Sequence, residues 1–213
     1  MLRRLTVFDA FYRNPDALRE TALKLKYYEP SDITGCRSKP VVVPGTKRRL
    51  EEVLHVKIRE WSTRGDRGYD NGVFFMSLAN GPHAERPQRH YDWYNPDFIT
   101  AVVYLTPDAP SDSGTSFWRH KPTALEAMPS PEECPRLVGL TFAELDAMLE
   151  ADASNYRKWV EIDRVANRYN RAVFYPPHFF HSATRHFGTR LATGRIYQSF
   201  NFKIDGDSRY PSL

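Results

Sequence analysis

The stretch RIYQSFNFKI, residues 195–204, alternates with a period of two and carries information on both of its faces. On an extended chain Arg195, Tyr197, Ser199 and Asn201 project to one side, and Ile196, Phe200 and Phe202, with Gln198, to the other. The apolar face suits a packed layer of helices, and the polar face suits the wall of a ligand cavity. The stretch FITAVVYL, residues 98–105, is built for the same sheet: it is rich in β-branched and aromatic residues, and Thr100 and Tyr104 share one face.

The covering layer lies upstream. After a strand-like LTVFDAFY, Asn14 is placed to cap a helix that Pro15 opens, with Leu18, Ala22 and Leu25 at helical spacing. Leu50, Val53, Leu54, Ile58 and Trp61 fall on one face if residues 46–61 form a second helix. NGVFFMSLA (71–79) reads as a strand, SDSGTSFWRH as a turn and a strand, and KWVEIDRV and NRAVFYPP as strands about a turn at ANRYN. Prolines at 122, 129, 131 and 135 interrupt this pattern. Thr141 and Glu144 then form a capping box, with Leu140 and Leu145 placed as a hydrophobic staple. Helices first, strands afterwards and one helical interruption predict a mainly β fold with flanking helices rather than a parallel βαβ sheet. One domain over residues 1–213 is expected, with the N-terminal strand and support helices in 1–70, the core in 71–204 and a helical insertion at 121–160 long enough to serve as a lid.

Composition narrows the partners. Thirty basic residues against 26 acidic give a net charge of +4, spread in short clusters such as Lys47–Arg49, which is a solvated face rather than a nucleic-acid footprint. The basic N-terminus lacks a continuous apolar core, and no run approaches the ~20 residues of a membrane span. The expectation is a cytoplasmic protein that binds neither nucleic acid nor membrane; nothing specifies an oligomeric state. Cys36 and Cys134 share no metal-ligand spacing and read as reduced and incidental.

The chemistry concentrates in two places. His90 and Asp92, two apart, present an imidazole and a carboxylate to one side of an extended chain. By itself such a triplet proves little, because a surface turn beside YNPD has the same spelling. The second place is AVFYPPHFFHSATRHF, which contains His178, His181 and His186. One more imidazole beside His90 and Asp92 completes a 2-His-1-carboxylate face with coordination positions left open, and His181 is the preferred candidate.

With these motifs the chain resembles the iron(II)- and 2-oxoglutarate-dependent oxygenases, closest in pattern to their prolyl hydroxylase-like branch. The matches run in order: His90-Tyr91-Asp92, TAVVYL from Thr100, SGTSF from Ser113, His181, and Arg195 opening RIYQSF. The resemblance implies a double-stranded β-helix (jelly-roll) core and an enzyme using Fe(II), 2-oxoglutarate and O2. It implies His90, Asp92 and His181 as metal ligands, with Arg195 and Tyr104 on the 2-oxoglutarate carboxylate. Two departures stand out. Ser113-Gly114 replaces a double glycine, and the interval from His181 to Arg195 is long, so that Arg190 is a rival; the polar face that begins at Arg195 favours Arg195. Trp93, Phe117, Trp118 and Arg119 are candidates for lining a pocket. The implied reaction is hydroxylation of a small molecule or a peptide side chain with release of succinate and CO2, since Asp92 fills the position that related halogenases leave to chloride. Two other readings share the residues: a non-catalytic cupin-like metal-binding barrel acting as sensor or binding module, and a scaffold whose basic face holds an acidic partner.

Overall fold

A computed structural model describes residues 5–29, 36–64, 70–81 and 83–205; the first four residues of the basic N-terminus lie outside them. In chain order the elements are β1 (Thr6–Phe8), α1 (Pro15–Lys24), β2 (Cys36–Arg37), α2 (Thr46–Leu54), β3 (Ile58–Glu60), β4 (Val73–Ser77), β5 (Phe98–Tyr104), β6 (Thr115–His120), α3 (Cys134–Val138), α4 (Phe142–Asp152), β7 (Trp159–Val165), β8 (Ala172–Tyr175), β9 (His181–Ala183) and β10 (Arg195–Ile204). Seven strands form a large sheet in the order β1-β8-β5-β10-β4-β2, with β3 paired to β10, and three form a small sheet, β7-β6-β9. Among the described residues every pairing between these strands is antiparallel. The two sheets enclose a jelly-roll core.

Register assigns the faces. Tyr197 pairs with Tyr104 and Asn201 with Thr100 across β10 and β5, and Arg195 pairs with Ser77 across β10 and β4. Arg195, Tyr197, Asn201, Thr100 and Tyr104 therefore share the face turned to the small sheet. On the opposite face Ile99, Ala101, Val103, Phe174, Phe200 and Phe202 pack against Leu50 and Leu54 of α2, and Phe74 and Ile196 against Leu18 and Ala22 of α1. Phe200 and Phe202 are fully buried, each contributing ~1.5–3 kcal/mol by removal from water.

Local signals explain most element boundaries. The Asn14 side chain accepts from the Ala17 N–H at 3.1 Å, and Thr141 and Glu144 make both bonds of their capping box. The helix expected over 46–61 is the main correction. It ends at Leu54, where His55 adopts φ 56°, and Ile58–Glu60 turns into β3 against Lys203 and Ile204. Helical spacing of apolar residues does not see the open edge of β10, whose backbone groups β3 satisfies; the Glu51 carboxylate also accepts from Ile58 N–H at 2.9 Å. Gly114 matters for a different reason: a Cβ there would run into the Val165 carbonyl oxygen. Among the described residues no helix is long and apolar enough to cross a membrane.

The segment from 121 to 160 is tied down along its length. Met128 N–H donates to His178 O at 2.8 Å and Phe180 N–H to Glu126 O at 3.0 Å. Met128, Cys134, Leu145 and Leu149 form one cluster with Trp118, Trp159 and Phe180 of the small-sheet side.

Candidate active site

Two distant segments run side by side at the small sheet. His90 N–H donates to His181 O at 3.0 Å, His181 N–H to His90 O at 2.8 Å, and Asp92 N–H to Pro177 O at 2.8 Å. The imidazoles are oriented by their own backbones, His90 Nδ1 on Gln88 O at 2.9 Å and His181 Nδ1 on Phe179 O at 2.8 Å. A carbonyl only accepts, so each Nδ1 carries the proton and each Nε2 presents a lone pair. Both Nε2 atoms lie 3.6 Å from Asp92 Oδ1, and the three donor atoms sit within 4.8 Å of one another. Around an ion ~2.1 Å from each donor, adjacent octahedral ligands stand ~3 Å apart, so a small inward movement suffices. The Thr100 hydroxyl, 3.2 Å from Asp92 Oδ2 and 2.9 Å from Asn201 Oδ1, steadies the carboxylate.

Charge and burial pull these groups apart. Burial brings His181 down to about 4. Burial pulls on His90 in the same direction, but the adjacent Asp92 carboxylate outweighs it and the imidazole ends above its ordinary range. Burial pushes Asp92 up, and the neighbouring histidines outweigh that and hold it below the usual carboxylate range. The His90 side chain is half exposed and that of His181 is buried, so the open side of the cluster lies at His90.

Arg195 is buried further along the same inner face. Its Nε and Nη2 lie 3.3 and 3.5 Å from the carbonyl oxygens of Ser113 and Gly114. Its guanidinium stands 4.3 Å from the Tyr197 ring centroid and 5.5 Å from that of Tyr104. Among the described residues no carboxylate comes within ion-pair distance of it. The Tyr104 and Tyr197 hydroxyls also reach it, and a buried guanidinium, with five N–H donors and no ion-paired carboxylate among the described residues, suits an anion. The Tyr104 hydroxyl bonds to Thr115 Oγ1 at 2.7 Å.

Of the residues singled out in the sequence, His90, Asp92, His181, Thr100, Tyr104 and Arg195 face the interior together. Arg190 does not: it is exposed, in a turn where its carbonyl accepts from Gly194 N–H at 2.8 Å. His178 stands outside the donor cluster. Phe117 lies inside, its ring 6.5 Å from that of His181. Trp118 is instead in the cluster under α4, and Arg119 is exposed and pairs with Glu126 at 2.6 Å; the register of β6 on β7 shifts between Phe117 and Trp118, which breaks the simple alternation beyond Phe117. Sequence reasoning missed Tyr175, whose ring is 4.7 Å from that of His181. It also missed the Glu85–His186 pair at 3.8 Å. Burial raises the Glu85 carboxyl, and burial together with the Arg195 charge brings His186 down to about 4. Neither carries a spacing signal.

No curated protein matches the chain. Solved structures do. HygX from Streptomyces hygroscopicus, with nickel and 2-oxoglutarate bound, aligns over 99% of this chain and 86% of its own at 11% identity and a TM-score of 0.53. SnoK, the non-heme alpha-ketoglutarate-dependent carbocyclase from nogalamycin biosynthesis, aligns over 95% and 80% at 11% identity and 0.50. SnoN, the corresponding epimerase, aligns over 93% and 77% at 14% identity and 0.50. At these identities the likeness is one of fold: a mainly β jelly roll of the kind found in 2-oxoglutarate-dependent oxygenases. In sequence, the model of one family matches residues 2–196, and the chain belongs to that family, the family of unknown function DUF6445.

Proposed function

We propose that this chain is an iron(II)- and 2-oxoglutarate-dependent oxygenase, and within that class a hydroxylase. The carrying observation is the pairing of an open His90–Asp92–His181 donor cluster with Arg195, which is buried on the same inner face and, among the described residues, has no carboxylate within ion-pair distance. The donor set fits the metal: two neutral imidazole nitrogens and one carboxylate on one face are the ligand set of a non-heme iron site. Arg195 fits the far end of a dicarboxylate. HygX binds nickel and 2-oxoglutarate on the same fold.

When bound, iron and 2-oxoglutarate supply, with O2, the oxidation of an unactivated C–H bond and the release of succinate and CO2. The chain supplies position. The carbonyls of Gln88 and Phe179 fix the tautomers of His90 and His181, and Thr100 holds Asp92. Arg195 receives the distal carboxylate as a planar fork, backed by the Tyr197 ring, and Tyr104 offers a hydroxyl beside it. Val102, Phe117, Val173 and Tyr175, all buried, keep water from the inner wall. Asp92 would fill, on a bound iron, the coordination position a halide would need, which favours hydroxylation. The order of motifs supports the prolyl hydroxylase-like branch, and a small molecule or a peptide side chain is the substrate class proposed.

The insertion at 121–160 is proposed to take part in substrate selection, and its contacts reach the ligand segments from behind. Tyr91 donates to Asp146 Oδ1 at 2.7 Å, and Arg89 binds Ala153 O through its N–H and Nη1, both at 3.1 Å. These bonds brace the residues on either side of His90.

The test is succinate formation from 2-oxoglutarate by metal-stripped protein reloaded with Fe(II), with Asp92→Ala as control. Iron-dependent succinate that disappears in the variant supports the reading. Tight metal binding with no 2-oxoglutarate consumption across a broad set of substrates would return the non-catalytic barrel.

A further inference from the structure

A second group of donor atoms converges outside the site just described. Glu29, Cys36 and His83 each offer one ligand atom, and these lie within 4.8 Å of one another. They come from three separate segments. Tyr28 and Arg37 exchange both backbone bonds at 3.0 Å, which sets Glu29 beside Cys36. Cys36 pairs with Met76 of β4. His83 sits in the loop after β4, folded back by Ala84 N–H to Gly81 O at 3.1 Å and Glu85 N–H to Leu78 O at 3.2 Å.

We propose that Glu29, Cys36 and His83 bind a zinc ion that ties the segments bridged at Tyr28 and Arg37 to the loop running into His90. The donor chemistry is the first argument: one sulfur, one imidazole and one carboxylate are a zinc set, whereas the His90 cluster contains no sulfur. Distances are the second. Tetrahedral zinc, ~2.3 Å from sulfur and ~2.1 Å from oxygen or nitrogen, holds S and O ~3.6 Å apart and N and O ~3.4 Å apart. Cys36 Sγ stands 3.4 Å from Glu29 Oε1, and His83 Nδ1 2.6 Å from the same oxygen. An ion asks only that the exposed His83 draw back from Glu29.

The Cys36 thiol sits at the edge of an apolar cluster with Met76 and Leu78. On binding, the thiol proton leaves to solvent and the thiolate takes the metal, with no change of oxidation state. Three chain donors leave one position for water. This inference does not depend on the oxygenase reading.

Cobalt(II) titration of the full, reduced, metal-stripped chain tests it. Thiolate bound to cobalt gives a near-ultraviolet charge-transfer band, and the sulfur-free His90 cluster gives none. The band is expected in the wild type, in Cys134→Ser and in His90→Ala, and is expected to be absent in Cys36→Ser. His83→Ala, at an exposed side chain whose hydrogen-bond partner is the proposed ligand Glu29, should raise the cobalt midpoint roughly tenfold or more. No band at saturating cobalt, a band that survives Cys36→Ser, or a midpoint unmoved by His83→Ala would each overturn the proposal.

Discussion

His90 and His181 exchange both backbone hydrogen bonds of an antiparallel bridge, and their rings stand 4.5 Å apart between centroids. The contact between the two imidazoles of the donor cluster is thus made by main chain, and each ring is anchored separately through Nδ1. Removing one imidazole leaves the bridge and the other ring in place.

Thr100→Val should act on the cluster while costing the fold about 1–3 kcal/mol for the hydrogen bond to buried Asn201. The substitution keeps the shape, removes the hydroxyl beside Asp92, and should weaken iron binding on the order of tenfold. Iron titration against thermal stability checks this. An unchanged affinity would show that Asp92 needs no support from Thr100.

Arg195→Ala should raise the 2-oxoglutarate midpoint roughly 30-fold or more, because truncating one member of a buried charged pair costs ~2–5 kcal/mol. Arg190→Ala, in its exposed turn, should leave the midpoint where it is. Circular dichroism controls for folding, and Arg195→Lys separates charge from the planar fork. The reverse ranking of Arg195 and Arg190 would move the role to Arg190.

In the metal-free protein His181 and His186 are held at about 4 against an ordinary 6.5. The folded state then binds fewer protons than the unfolded chain, so this contribution is fully present above 6.5 and is lost as pH falls toward 4. His90, raised by Asp92, has the opposite sign: its contribution is present below 6.5 and is lost as pH rises through the raised value. The thermal midpoint of chelator-treated protein should drop from about pH 7 to about pH 4.5, and His186→Gln should flatten part of that drop. A flat profile in the wild type would remove the premise. Iron binding should weaken over the same acid range, because ligating imidazoles must be neutral.

Gly114→Ala should destabilise the fold by about 1–3 kcal/mol, since the new Cβ meets the Val165 carbonyl and the backbone must give way. Gly114 O also lies against the Arg195 guanidinium, so 2-oxoglutarate binding should weaken alongside stability. Denaturant unfolding and a 2-oxoglutarate titration on the same variant check both. Wild-type stability in the variant would mean the β6–β7 approach is loose.

What the sequence determined by itself is what period and spacing encode. The two faces of RIYQSFNFKI, the Asn14 cap, the Thr141–Glu144 box and the projection of His90 and Asp92 to one side are all local consequences of backbone geometry. Which imidazole joins that pair was decided elsewhere. His178, His181 and His186 are equivalent in composition, and only the bridge to His90 brings His181 to Asp92 while His186 turns to Glu85. The same holds for β3, where helical spacing was outweighed by an open strand edge. It holds for Arg190, carried to the surface by a turn, and for Cys36, which has no ligand spacing in sequence but meets Glu29 and His83 in space. These contacts join segments far apart in the chain, and their geometry is set by sheet register, which no local pattern contains.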